Sequence, residues 1–234
     1  MSIANNIAEV RQRIDKAARR AGRDPSEVLL MAVTKTQSAD CVREAHQAGI
    51  RVFGENRVQE YASKSEALRD LPDAEWHMIG HLQTNKAPAA VELFSAIDSV
   101  DSVRLARKLN VAAEQLKRKL PVLIDINVGG EAAKSGMAAA SPELDELLNI
   151  AGELDHLEIR GLMTVPPYSE DAEATRPYFR ILRELRERLA ARQLPYVSME
   201  TLSMGMSHDF EVAIEEGSTC VRVGTAIFGE RPSI

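Results

Sequence analysis

Cysteine is nearly missing from this chain: 234 residues carry only Cys41 and Cys220, far apart in sequence. That excludes a disulfide framework and any cysteine-based metal spacing. Both lie in or beside apolar segments, so buried thiols in a reducing compartment are expected. No apolar run is long enough to span a bilayer, and the N-terminus lacks the apolar core of a secretory signal. A cytoplasmic location with no membrane partner is the expectation. Positive charge is not in excess, since 29 Lys and Arg face 35 Asp and Glu for a net charge of −6. Non-specific binding to nucleic acid is disfavoured by that balance. No Ser/Gly-rich linker, low-complexity tract or shift in composition marks a domain boundary, so residues 1–234 are expected to form one domain. What is present is ordinary for a globular enzyme-sized domain, with 44% hydrophobic and 27% charged residues.

One rhythm runs along the chain: short apolar strand, turn, amphipathic helix. An extra helix comes first, with Ile3, Ile7, Val10, Ile14 and Ala18 at helical spacing, Ser2 as cap and Gly22 as stop. The strands are then expected at 28–33, 51–53, 76–79, 95–100, 122–128, 157–165, 196–202 and 219–223. Helices follow at 39–48, 57–68, 86–93, 102–118, from 141, 171–192 and 208–216, with only a short turn at 225–228. Eight such units without linkers predict a single parallel (β/α)8 barrel. The last helix is almost absent, so the N-terminal helix is expected to cover part of that wall. The stripe Phe179, Leu182, Leu185 and Leu189 leaves the Arg and Glu residues of helix 171–192 as a solvated face.

Alternation along a barrel strand separates residues facing the helices from residues facing the interior. Val122, Ile124, Ile126 and Val128 suit the helix side, which turns Asp125 and Asn127 inward. Val221 and Val223 suit the helix side too, which turns Arg222 inward, where it needs a carboxylate such as Asp125 or a ligand acceptor. His77 shares its parity with Ile79 and is either a ring-stacking or proton-relay residue or a hydrogen-bonded core histidine.

Lys35 stands just past an apolar run in Ala32-Val-Thr-Lys-Thr-Gln37. A lone buried ammonium is costly or loses its proton, and a neutral lysine attacks carbonyl carbon. The usual carbonyl partner is pyridoxal 5′-phosphate (PLP); an exposed lysine in a strand–helix loop is the alternative. Two Gly-containing turns follow the last two strands, Leu202-Ser-Met-Gly-Met-Ser207 and Val223-Gly-Thr225. Such turns, after the final strands of a barrel, are where phosphate is often held by backbone amides and hydroxyls.

Together the motifs resemble the pyridoxal-phosphate homeostasis proteins, an alanine-racemase-like family once called proline-synthetase-associated. The residues carrying the resemblance are Ala32-Val-Thr-Lys-Thr36, Phe53-Gly-Glu-Asn-Arg-Val-Gln-Glu60 and Trp76-His-Met-Ile-Gly-His-Leu-Gln-Thr-Asn-Lys86. Asn127 through Lys134-Ser-Gly136, Gly161-Leu-Met-Thr164, Leu202–Ser207 and Val221-Arg-Val-Gly-Thr-Ala-Ile-Phe-Gly229 complete the set. The resemblance implies a barrel like the N-terminal domain of bacterial alanine racemases, and PLP held on Lys35 as a Schiff base. It implies Ser203, Ser207, Gly224 and Thr225 around the phosphate, with either serine as the main donor; Gly205 belongs to the first of the two turns. It implies Arg222 opposite the pyridine nitrogen, and Asn56 at the same mouth. Met204 is either packing or a flank for the ring, and His77 joins the candidates. Glu131 and Lys134 are loop charges that could gate the mouth.

Racemases of this lineage set a tyrosine from a second domain of a partner subunit against their lysine. This chain ends at Ile234, and Tyr61, Tyr168, Tyr178 and Tyr196 all lie outside the site motifs. The expectation is therefore a monomeric PLP holder that buffers the cofactor or passes it to apo PLP enzymes as transient acceptors. A weak one-base racemase is the second possibility, and a PLP-free barrel that binds partners the third.

Overall fold

The computed structural model describes residues 2–131 and 135–230. Lys134 lies outside the described residues. Helix α1 (Ile3–Arg20) precedes eight strands that close into a parallel barrel in sequence order, with β8 pairing back to β1. The strands are β1 (Leu29–Val33), β2 (Val52–Glu55), β3 (Glu75–Met78), β4 (Ala96–Val100), β5 (Leu120–Asp125), β6 (Leu157–Met163), β7 (Val197–Ser203) and β8 (Cys220–Val223). Around them run α2 (Ala39–Gln47), α3 (Val58–Ser65), α4 (Ala87–Leu93), α5 (Val103–Gln115), α6 (Pro142–Asn149), α7 (Arg176–Ala190), α8 (Phe210–Glu215) and the single turn α9 (Thr225–Phe228).

Local signals start the helices where the sequence places them. Ser2, Ser38, Ser102 and Ser141 each accept a hydrogen bond from the amide three residues on. Each such cap is worth about 1 kcal/mol. Pro142 occupies the first turn of α6, where its missing N–H costs nothing.

The expected wall role of α1 holds. Its buried face of Ile7, Val10, Ile14, Ala17 and Ala18 packs beside α8, α9 and α2. Asn6 Nδ2 donates to the Ile227 carbonyl at 2.8 Å, and Arg13 pairs with Glu211 at 2.9 Å. The four-residue α9 cannot cover its own side of the sheet, and α1 supplies the missing apolar surface.

Several boundaries differ from expectation by a few residues, two of them with consequences. β5 stops at Asp125, and the chain then bends so that Ile126 bridges Met137. Residues 172–175 form a 3₁₀ turn before α7 begins at Arg176. The α7 arginines are also less free than a solvated face. Arg176, Arg180 and Arg183 converge on Glu216, just past α8, at 3.2, 3.2 and 2.8 Å. Those cations offset its burial and hold its carboxyl below the usual range.

Most of the apolar core lies between sheet and helices, including Phe53, Ile97, Leu109, Leu162, Phe179 and Val221. Inside the barrel a small cluster of Met31, Val52 and Cys220, with Ile79 against it, is apolar. Burial pushes the Cys220 thiol up to about 12, which leaves it inert. Cys41, by contrast, is only half-buried on α2. Phe53, Trp76, Tyr61 and Phe94 stack in sequence with ring centroids 4.9, 4.6 and 5.0 Å apart. That stack clamps α3 to β2 and β3 and fixes its height on the wall.

Candidate functional site

Strand register brings one set of candidates to the carboxyl end of the barrel. Val33 pairs with Gly54, so Lys35 and Asn56, each two residues farther, leave adjacent strands with inward parity. On the other side Ala32 pairs with Val223, which sets Val33 against Gly224. Lys35 is half-buried there. The β7 turn closes on the β8 turn through Ser207, whose Oγ accepts from the amides of Gly224 at 3.3 Å and Ala226 at 3.2 Å. Around the rim the order is therefore Asn56, Lys35, Gly224 with exposed Thr225, then Ser207. An acceptor oxygen already sits on two convergent amides beside Lys35. A phosphate oxygen asks for the same environment, so the residues present fit PLP at this end.

Two further groups shape that turn. Asp209 Oδ1 accepts from the Met206 amide at 2.7 Å, and Met206 O accepts from the amides of Asp209 and Phe210. Gly205 has φ +93°, and a Cβ there would meet the Ala213 side chain at 2.6 Å and the Phe210 Cα at 2.9 Å. Only glycine permits both the left-handed backbone and this approach to α8.

Beneath the rim Arg222 is 3% exposed and points inward, as the parity of β8 requires. Its guanidinium donates to Ser203 Oγ and to the Thr164 carbonyl, each at 2.7 Å. Asp98, Asp125 and Asp209 act on it through space, against a burial that lowers its pKa. An arginine stays charged in any such setting. Asp125 is buried as expected, accepts from Ser135 Oγ at 3.2 Å, and is raised to about 6 by desolvation. The partners expected for Arg222 were a carboxylate or a ligand, and its hydrogen bonds go instead to neutral oxygens.

Three candidates are not brought to the rim. Ser203 is fully buried and its hydroxyl is taken by Arg222, so of the two serines Ser207 is the one on the phosphate-type turn. Met204, one residue on, has the opposite parity and lies wholly in the core with Phe210, Ala213 and Val221. His77 faces a cavity of about 200 Å³ lined by strand beginnings, among them Leu29, Glu75, Ala96, Pro121 and Cys220. That is the amino end of the barrel. Strand tilt sets neighbouring strands at different heights, so inward parity alone does not tell which end a residue serves. His77 Nδ1 lies 3.1 Å from both Asp98 oxygens. Burial pulls its imidazolium down, but Asp98, helped by Glu75, carries it up to about 10. His77 is thus the hydrogen-bonded core histidine of the two readings.

The loops hold residues that sequence reasoning passed over. Thr164 sits in a quoted motif, yet only the structure shows its carbonyl receiving Arg222. Tyr168, 82% exposed, brings its ring to 6.0 Å from that of His208, the neighbour of Ser207. Of the proposed gate, Glu131 is exposed and its carbonyl accepts from Asn127 Nδ2 at 2.9 Å.

Residues 4–232 match the family model for the alanine racemase N-terminal domain. The chain belongs to that family. Within it, the sequence is 48% identical over 233 residues to the pyridoxal phosphate homeostasis protein of Aquifex aeolicus, covering 99% of each chain. It is 44% identical to the protein of the same name in Escherichia coli K12, covering 98% of this chain and 97% of that one. The resemblance in the motifs is therefore a family relationship, to the pyridoxal phosphate homeostasis branch of these racemase-like barrels. PipY of Synechococcus elongatus PCC7942, solved with PLP bound, superposes with a TM-score of 0.84 at 39% identity, over 97% of this chain and 100% of PipY. An alanine racemase of Clostridium difficile 630 shares the barrel alone, at TM-score 0.75 and 14% identity, and this chain spans 57% of it.

Proposed function

We propose that the protein holds PLP as a Schiff base on Lys35 and buffers the cofactor or passes it to apo PLP enzymes. The observation that carries this is the adjacency of Lys35 to the Ser207, Gly224 and Ala226 turn at one end of the barrel. PLP supplies an aldehyde that reacts with amines. The protein's residues bind and orient it: the turn receives the phosphate, with Thr225 beside it, while Asn56 lines the opposite flank of Lys35. Arg222 keeps a fixed positive charge below, held by Ser203 and Thr164. A positive group facing the pyridine nitrogen disfavours its protonation and makes the ring a weaker electron sink. Holding rather than turnover is what such a site favours. Its relatives' names and the PLP-bound PipY structure support the same reading.

The deciding experiment compares PLP transfer to an apo-enzyme from the loaded protein and from free PLP. The loaded protein should activate the apo-enzyme while its bound PLP stays protected from a small-molecule amine trap. If the trap blocks activation of the apo-enzyme by the loaded protein as fully as activation by free PLP, delivery is excluded and buffering remains. Loss of α-deuterium from bound amino acids at a catalytic rate would replace the carrier reading with a racemase. A protein that takes up no PLP would sink both.

A further inference from the structure

The peptide groups on both sides of Lys35 are held by one helix. Lys64 Nζ, on α3, donates to the Thr34 carbonyl at 2.8 Å, immediately before Lys35. Glu60 Oε1, one helical turn earlier, accepts from the Thr36 amide, immediately after it. Lys64 is itself braced by the Glu55 carboxylate at 2.7 Å, whose same oxygen accepts from Thr34 Oγ1 at 2.5 Å. Between the two grips the backbone is unusual, because Thr36 has φ +65°. A β-branched residue there is strained and persists only when its surroundings impose it.

The grip carries a cost. Glu55 is fully buried on the helix side of β2, and its Oε2 has no hydrogen-bond partner among the described residues. Desolvation raises its pKa in spite of Lys64 and Thr34. A buried carboxylate with an orphan oxygen would be better replaced by an apolar side chain if packing were its purpose. Glu55 adds nothing to the rim, since it points away from Asn56 and toward α3. What it does is hold Lys64 and Thr34 in place.

We infer that Glu55, Lys64 and Glu60 are positioning residues that clamp the β1–α2 loop and so aim Lys35 at the cofactor. This rests on Lys35 being the attachment point. The clamp fixes the direction in which the side chain leaves the loop, while the phosphate turn binds independently on β7 and β8. Releasing the clamp should therefore separate two events that are coupled in the intact protein, phosphate binding and covalent attachment.

The test uses the full chain loaded with PLP, trapped with borohydride over time and mapped by peptide mass spectrometry. Wild type comes first: a label mainly on another lysine would overturn the attachment reading itself, independently of the clamp. With Lys35 labelled in wild type, Glu60→Ala should attach PLP about tenfold more slowly, the cost of one lost charge-assisted hydrogen bond. Glu60→Gln, which keeps an acceptor for the Thr36 amide, should attach at nearly the wild-type rate. Lys64→Met should slow attachment more. Thr36→Gly, which relieves the strain, should slow attachment without lowering the melting temperature. Glu60 is on the surface of α3, so its variants keep the test decisive even if Lys64→Met fails to fold. Wild-type attachment rates in Glu60→Ala and Thr36→Gly, or equal slowing in Glu60→Ala and Glu60→Gln, would overturn the clamp.

Discussion

Two ends of one barrel bury the same kinds of side chain and use them differently. At the amino end a histidine meets a carboxylate, His77 against both oxygens of Asp98, and the pair neutralises itself. Toward the carboxyl end Arg222 faces Asp125 and Asp209 and also feels the charge of Asp98 through space, but it spends its hydrogen bonds on Ser203 and Thr164. Asp125 has a hydroxyl for a partner and titrates near 6. The first arrangement is closed, with each charge answered by its neighbour. The second keeps charge in reserve next to the rim where Lys35 and the Ser207 turn meet. His77 is half-buried and Arg222 fully buried, and the two ends differ above all in whether the charges are paired with one another. The thin apolar cluster around Met31 lies between them along β1.

If the contrast is right, changes at the upper end alter PLP binding and leave stability nearly intact, while changes at the lower end do the reverse. Lys35→Ala should show the largest effect. The visible absorption band of covalently held PLP should vanish with the melting temperature unchanged, and a surviving band of full intensity would break the comparison at once. Asp98→Ala should be next, removing the main partner of His77 and leaving it with Glu75 at 3.9 Å, at a cost of about 3 kcal/mol in denaturant unfolding. The folded fraction should still load PLP on Lys35. Ser207→Ala should weaken PLP by about 1.5–3 kcal/mol in a binding titration, as for one hydrogen bond to an anion. Pyridoxal, which has no phosphate, should be affected far less. Equal losses for both ligands would remove the turn from phosphate binding.

A pH dependence tests the same lower pair. His77 is raised from 6.5 to about 10 in the folded chain, so folding takes up protons between those values. The stabilisation is complete below pH 6.5 and fades as the pH rises toward 10. Asp98→Asn should flatten that decline when unfolding free energy is measured across the window. The same slope in both proteins would show that the pair is not formed. Arg222→Glu, an obvious probe of the upper end, is a poor choice because it would add a carboxylate facing Asp98, Asp125 and Asp209. Arg222→Gln removes the charge without adding a carboxylate and keeps one amide donor at that position.

Much of this architecture is written in local pattern. The strand–helix rhythm, the serine caps and the apolar stripe of α1 are short-range features, and the barrel follows from their repetition. Parity also places Arg222 and Asp125 inward, because a period of two survives any barrel geometry. Height along the axis is different. It depends on strand tilt and register around the whole sheet, which is why His77 belongs to the other end and why Ser203 lies a layer below Ser207. Met204 had the parity of the core all along. Glu55, Glu60 and Lys64 stood partly within quoted motifs, yet their purpose needs β1, β2 and α3 brought together. A glutamate closing an otherwise apolar strand was the one signal on offer.

The aromatic stack has an optical consequence. Trp76 is the chain's only tryptophan, and it is pressed against Tyr61 of α3 on one side and Phe53 of β2 on the other. Its emission therefore reports on a single place, the seat of the helix that grips the Lys35 loop. Any motion of α3 away from the sheet would expose the indole to water and redden its fluorescence, with no label added. The protein carries its own lamp at the hinge of its proposed clamp.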